Sequence, residues 1–287
     1  MESFFSKLRR AQFLWPQRLP NMGQWTYLSI PVAFLAVFFL IPLGGFFLKL
    51  TEPALADALK PVYVRVYLTT FEIGAYVTGI CVLLGYPVAA LLASVGTRAR
   101  SRLLALVLFP FVTSVLTRTF VWIVLLQTNG VVNRVLLSTG ILQQPLDLLY
   151  NRFGVVFGMV YVLLPYMIFP MFSAMLSIDR NLLKAAESLG ANGPLVFFRV
   201  FLPLSMPGVV AGVILVFIIA LGFFITPVLM GGSKDVMISV LIEAQVRQFL
   251  NWEFAAALAF VLLIVTSALF VAAIRWLGVG RIWKGLE

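Results

Sequence analysis

Residues 179–207 read DRNLLKAAESLGANGPLVFFRVFLPLSMP, and they join two long apolar runs, Phe153–Ser177 and Ser205–Met230. A hydrocarbon core of about 30 Å takes about 20 apolar residues as helix, and either run suffices. Lipid admits only helices and closed barrels, and continuous rather than alternating apolarity selects helices. Between the runs, Asp179 is placed to N-cap a short helix with Leu182, Leu183, Ala186 and Leu189 along one face. Lys184, Glu187 and Ser188 fall mostly off that face, and Gly190 is suited to a left-handed C-cap. Asn192-Gly193-Pro194 then opens a second short helix through Leu195–Leu202, after which Pro203 and Pro207 redirect the chain into the next span. A helix-turn-helix at a membrane face either fills a groove on a partner protein or rests on lipid.

Outward from this loop, six apolar runs are expected to span the membrane: Trp25–Leu48, Tyr67–Ser94, Leu103–Gln127, Phe153–Ser177, Ser205–Met230 and Phe254–Leu277. The fold class expected is therefore all-α integral membrane, with a transmembrane domain over 25–277. An interfacial segment over 1–24 precedes it and a short tail over 278–287 follows. In the first segment Phe4, Phe5, Leu8, Phe13, Leu14 and Trp15 mix with Lys7, Arg9, Arg10 and Arg18, which suits a chain lying on anionic lipid. The first run is too long for a signal-peptide core, and no small-residue cleavage site follows it, so an uncleaved first span is expected. Composition agrees: 62% of the 287 residues are hydrophobic and 11% charged, beyond what one aqueous fold can cover with polar atoms.

The formal charge is +10, yet no basic stretch carries a nucleic-acid motif, so nucleic acid is not expected as a partner. The cations instead set orientation. One side holds Lys7, Arg9, Arg10, Arg18, Arg98, Arg100, Arg102, Arg180, Lys184, Arg199, Arg275, Arg281 and Lys284. The other holds only Lys49, Lys60, Arg65, Arg134, Arg152, Lys234 and Arg247, so the first side, with both termini, is expected in the cytoplasm. With no histidine, a Ser-His-Asp triad and His-ligated zinc are excluded, and Cys81 alone can form no intrachain disulfide. No GxxxxGK[ST] loop is present; Gly231-Gly232-Ser233-Lys234 lacks the spacing. This chain carries no cofactor by that reading, and ATP with its Mg would sit on another subunit.

Lys184-Ala185-Ala186, three residues, Gly190, nine residues and Val200-Phe201-Leu202-Pro203 together resemble the EAA loop of type I ABC importer permeases. Two positions depart from that pattern: Lys184 stands for its glutamate and Val200 for its isoleucine. The resemblance runs over most of the chain and points to the spermidine/putrescine permease group. It is carried by Leu84-Gly85-Tyr86-Pro87, by Val160–Tyr166, by Pro203–Gly208, by Met230-Gly231-Gly232 and by Asn251-Trp252-Glu253-Phe254. It implies a six-helix permease that couples to ATPases through Leu182, Leu183, Lys184, Ala185, Ala186, Glu187, Leu189, Gly190 and Pro203. The partners it implies are a second permease in a heterodimer, two ABC ATPase subunits, an extracytoplasmic solute-binding protein and a small solute such as a polyamine or related amine.

Two ionisable residues fall within spans, Glu72 in the second and Arg118 in the third. A charge at mid-bilayer costs about 2.5–3.5 kcal/mol on insertion scales, so both should face protein or water, as pathway groups or as an ion pair between helices. Phe223 and Phe224, before Thr226 and Pro227, offer cation–π contact to a cationic solute or ordinary packing. Asn129–Asn133 reads as a turn into a short helix and, with Trp252 and Glu253, is expected on the outer face. An ion-coupled secondary transporter would show internal repeats, broken helices and midplane ligands. A polytopic enzyme would cluster catalytic polar residues at one face, and no such cluster is seen in the sequence.

Overall fold

A computed structural model describes residues 24–276, and all secondary structure among the described residues is helical. The segment expected over 1–24, apart from Gln24, and the tail over 278–287 lie outside the described residues. The chain divides after Leu50. Among the described residues the first unit holds one helix, α1 (Gln24–Leu48), with Pro31 and Pro42 inside it. Phe34, Leu35, Phe38, Phe39, Leu40 and Ile41 are all exposed, which suits a helix whose solvent is hydrocarbon.

The second unit begins with the short α2 (Glu52–Ala58) and the long α3 (Pro61–Ser94). Next come α4 (Thr97–Val112), α5 (Val115–Leu126), α6 (Val131–Ser138) and α7 (Arg152–Leu176). After α7 the 179–207 stretch forms α8 (Arg180–Ser188) and α9 (Gly193–Val196), a π turn over Phe197–Phe201, and the start of α10 (Leu202–Gly222). The last described elements are α11 (Ile225–Met230), α12 (Ile238–Arg247) and α13 (Trp252–Trp276). Six segments among the described residues are long and apolar enough to cross a bilayer, the number expected from sequence, but the third is Val115–Ser138 rather than Leu103–Gln127.

Two expected spans are not continuous. The run Leu103–Gln127 breaks at Thr113 and Ser114, whose ψ angles of 144° and 141° are extended. Pro110 removes one helix donor, and its own carbonyl is taken by both the N–H and the hydroxyl of Thr113, so the ladder stops there. The run Ser205–Met230 breaks at Phe223–Phe224, where the hydroxyl of Ser239 in α12 donates to the Phe223 carbonyl at 2.8 Å. The same run starts earlier than expected. Helix is unbroken from Gly193 to Gly222, so Pro203 and Pro207 lie within it and do not end it. The wider π turn just before Pro203 gives its ring room where an α-turn would press it against a carbonyl.

The core is the crossing of α3, α7 and α10. Ile73, Val77 and Cys81 of α3 meet Met159, Leu163, Met167 and Met171 of α7, and Val216 and Ala220 of α10 close the cluster. Lipid tails are as apolar as leucine, so the 25 cal/mol per Å² of aqueous burial does not drive this association; close packing does. Small residues permit the close approach. A β-carbon on Gly212 would stand 3.2 Å from the Met167 carbonyl oxygen, and one on Gly208 only 2.7 Å from that of Pro170. The unbranched methionines fill the irregular space between. Tyr67 donates to the Leu258 carbonyl at 2.7 Å, joining α3 to α13. Thr70 donates to Val66 and accepts from the Ile238 N–H at 2.8 Å, joining α3 to α12.

Candidate functional site

The 179–203 loop folds as its residues dictate. The Asp179 carboxylate accepts from the Asn181 N–H at 2.9 Å and caps α8. At the other end Gly190 N–H donates to Glu187 and Ala191 N–H to Ala186, a complete Schellman closure around Gly190 at φ +87°. The Asn192 side chain then accepts from the Leu195 N–H and starts α9.

The faces of α8 are divided differently from the expectation. Leu183 turns inward and, with Arg180, Lys184 and Glu187, lines a cavity of about 340 Å³ against Ala90 and Ala93 of α3. Ala186 is half-buried. The outward ridge is Leu182, Ala185 and Leu189, and Leu189 is 89% exposed. The reason is helical spacing: residues 180, 183, 184 and 187 share the side toward the bundle, and 182, 185 and 189 share the side away from it. Pro203 lies inside the helix below the π turn. There the Ser205 hydroxyl donates to Leu202, so the 2.9 Å contact from Tyr86 of α3 is a bond donated by the tyrosine. The Tyr86 ring also meets Phe197 edge-on, with centroids 6.1 Å apart.

At the opposite end of α7, Arg152 joins three elements. Its Nη1 is 2.6 Å from Glu72 Oε1 of α3, and its Nε is 2.9 Å from Asp235 Oδ1 in the segment after α11. Glu72 therefore pairs with Arg152, and the expected alternative of a Glu72–Arg118 pair is not formed. From sequence Arg152 is one of the outer-side cations, although its place at the head of an apolar run puts it at the same membrane edge as Glu72. A more exposed pair on that unit, Lys60–Asp57 at 2.7 Å, raises the lysine pKa through the aspartate hydrogen bond.

The two halves of the Arg152 clasp are unequal. Glu72 is 44% exposed and Asp235 only 11%. An exposed pair contributes at most about 1 kcal/mol, whereas an orphaned, nearly buried carboxylate costs about 3 kcal/mol. Glu72→Gln is therefore expected to lower the thermal stability of the purified protein slightly. Arg152→Gln is expected to lower it several-fold more in free energy, and Asp235→Asn in that background to restore part of the loss. Equal losses in the two single variants, read by thermal unfolding, would contradict this ordering.

The remaining pathway candidates separate. Arg118 forms no ion pair among the described residues; its guanidinium carbon lies 5.9 Å from the Tyr161 ring centroid, and its buried Nε meets no protein acceptor. Thr226 is fully buried, with its methyl group against Gly158, so it packs α11 on α7 rather than lining open space. Its hydroxyl has no partner among the described residues; the break at Phe223–Phe224 separates it from the i−4 carbonyl of the kind that Thr70, Thr78 and Thr119 each use. Phe223 packs against the core, and Phe224 is 40% exposed.

Residues 85–279 match the family described as binding-protein-dependent transport system inner membrane component. The chain is 37% identical over 243 residues to the spermidine/putrescine transport system permease protein PotB of Haemophilus influenzae, covering 84% of this chain and 85% of that protein. It is 37% identical over 213 residues to PotB of Escherichia coli, covering 74% and 78%. It is 30% identical over 262 residues to the molybdenum transport system permease protein ModB of Mycobacterium tuberculosis, covering 91% and 94%. Its fold is similar to a chain of a bacterial alginate ABC transporter solved in complex with an alginate pentasaccharide-bound periplasmic protein. That match has TM-score 0.70 and 18% identity over 94% of this chain and 96% of the other.

Proposed function

Because the chain belongs to the family of binding-protein-dependent transport system inner membrane components, as the permease of an ABC importer, we propose that it carries polyamines or a closely related amine. The relatives differ widely in cargo, from spermidine to molybdenum, so the shared fold does not choose the solute; the higher identity to the polyamine permeases supports that choice. In this reading the chain pairs with a second permease. An external solute-binding protein delivers cargo, and two ATPase subunits bind ATP and Mg on the cytoplasmic side. The 179–203 loop and both termini face the cytoplasm, and the Arg152 clasp faces outward.

The observation that carries the coupling role is the ridge Leu182–Ala185–Leu189, apolar and open to solvent on a loop outside the spans. A groove on a partner is the surface that would cover it. Differential affinity of the nucleotide-bound ATPases for one arrangement of the bundle supplies the driving force. An ion-coupled carrier is less well served. The helix breaks it requires are present, but Glu72, the acid it would use, is held by Arg152. Spermidine and putrescine delivered by the cognate binding protein are expected to stimulate ATP hydrolysis by the reconstituted complex. Stimulation by molybdate and not by either amine would overturn the solute assignment.

A further inference from the structure

Arg180 sits at the first position of α8 and reaches out of it. Its Nη2 donates to the Ala93 carbonyl of α3 at 3.0 Å. The end of α3 is already covered. From α4, Arg100 donates through Nε to Leu92 at 3.0 Å and through Nη2 to Ala93 and Val95 at 3.4 and 3.1 Å. A helix C-terminus carries about half a negative charge on its unpaired carbonyls and attracts cations. Arg100 caps these carbonyls from the neighbouring α4, whereas Arg180 shares the Ala93 carbonyl by the shorter bond and does so from α8.

What Arg180 adds is a connection. Among the described residues it is the one hydrogen bond from α8 to a membrane-spanning helix. Elsewhere α8 faces α3 across the cavity of about 340 Å³, where Leu183, Lys184 and Glu187 stand opposite Ala90 and Ser94. Open space passes on a displacement less directly than a bond does, so the Arg180 contact is the direct tie between α8 and α3. Tyr86 already ties α3 to α10 through Ser205, independently of α8. Arg180 joins α8 to that pair.

We propose that Arg180 is a positioning residue for transport, the link through which displacement of α8 reaches α3. The proposal rests on the reading of α8 as the element that meets the ATPases. Helix α3 is continuous from Pro61 to Ser94, and Glu72 lies about 30 Å from Ala93 at 1.5 Å per residue. A movement imposed at Ala93 is thereby carried to the Glu72–Arg152–Asp235 clasp at the far face.

Arg180→Met keeps the apolar stem that lines the cavity and removes the donor. It is expected to retain its ATPases and their basal hydrolysis, while solute imported per ATP falls about 10-fold, within the range of measured coupling between sites. Arg180→Lys is expected to recover most of that ratio. Arg100→Met is the comparison: it strips a cap from the same carbonyls, so it should lower stability and leave the ratio unchanged. A wild-type ratio in Arg180→Met, or an equal fall in Arg100→Met, would overturn the proposal. The mechanical link is also read with Arg180 in place, by spin labels at Ser94→Cys and Asn181→Cys in a Cys81→Ala background. Their separation should be the same in nucleotide-free and vanadate-trapped complexes; a change of about one helical turn, ~5 Å, would refute a fixed link. Loss of ATPase retention in outward-ridge variants tests the docking reading separately, because Arg180 does not lie on that ridge.

Discussion

Replacing Gly208 with leucine is expected to abolish the assembled protein. A β-carbon at this position would stand 2.5 Å from the Ala174 β-carbon, 2.7 Å from the Pro170 carbonyl oxygen and 3.0 Å from the Met171 α-carbon. Two of those atoms are backbone, so no rotamer change relieves the clash, and α7 and α10 would have to separate. Overpacking of a filled core costs about 1–3 kcal/mol when side chains can shift, and more when they cannot. Here the separation also opens the Met167–Gly212 contact one turn away. Helix association in lipid relies on such contacts, with no hydrophobic gain to compensate. Gly208→Leu should therefore give almost no monodisperse protein in fluorescence-detected size exclusion, and Gly208→Ala an intermediate amount. Gly79→Ala should match wild type, since a β-carbon there meets nothing within 4 Å. Wild-type recovery of Gly208→Leu would mean that α7 and α10 do not cross this closely.

The parts of this architecture legible in the sequence are those set by local chemistry. Six spans follow from hydrocarbon thickness and run length. Asp179, Gly190 and Asn192 announce their caps because few residue types accept those hydrogen bonds or that positive φ. The breaks at Thr113–Ser114 and Phe223–Phe224 were hidden because a run such as 205–230 stays apolar across the break; its carbonyl is satisfied by Ser239, distant in sequence. The continuity through Pro203 was hidden for the converse reason. Proline signals an interruption, and the π turn that accommodates it has no composition of its own.

Partner choice among charges was the least legible. Glu72 and Arg118 drew attention as the ionisable residues inside runs, yet the partner of Glu72 is Arg152, a residue at the edge of a run, with Asp235 completing the group. Pairing across 80 residues depends on which helices become neighbours, and one sequence does not encode that locally. The same holds for Arg180. Its charge counted toward orientation, whereas its position opposite Ala93 arises only once α7 returns α8 beneath α3.

Substitutions on the outward face of α8 should leave insertion intact and remove uptake. Ala185 lies between Leu182, 50% exposed, and Leu189, 89% exposed, so Ala185→Glu places a carboxylate in the middle of the apolar ridge. Burying an unpaired carboxylate against an apolar groove costs several kcal/mol; a loss of about 3 kcal/mol weakens binding about 100-fold. Gly190→Val acts on the backbone instead. No atom of the described residues lies within 4 Å of a β-carbon there, but φ of +87° is hostile to a β-branched residue at about 1–2 kcal/mol or more. Relieving that strain unwinds the Schellman closure, and the angle between α8 and α9 is lost with it. Both variants lie outside the spans and should reach the membrane in normal amounts, yet fail to retain the ATPases on purification and show under about a tenth of wild-type uptake. Lys184→Ala, facing the cavity, should retain the ATPases. Normal ATPase retention and uptake in Ala185→Glu and Gly190→Val together would show that the ridge meets no partner, and the coupling role of the 179–203 loop would be withdrawn.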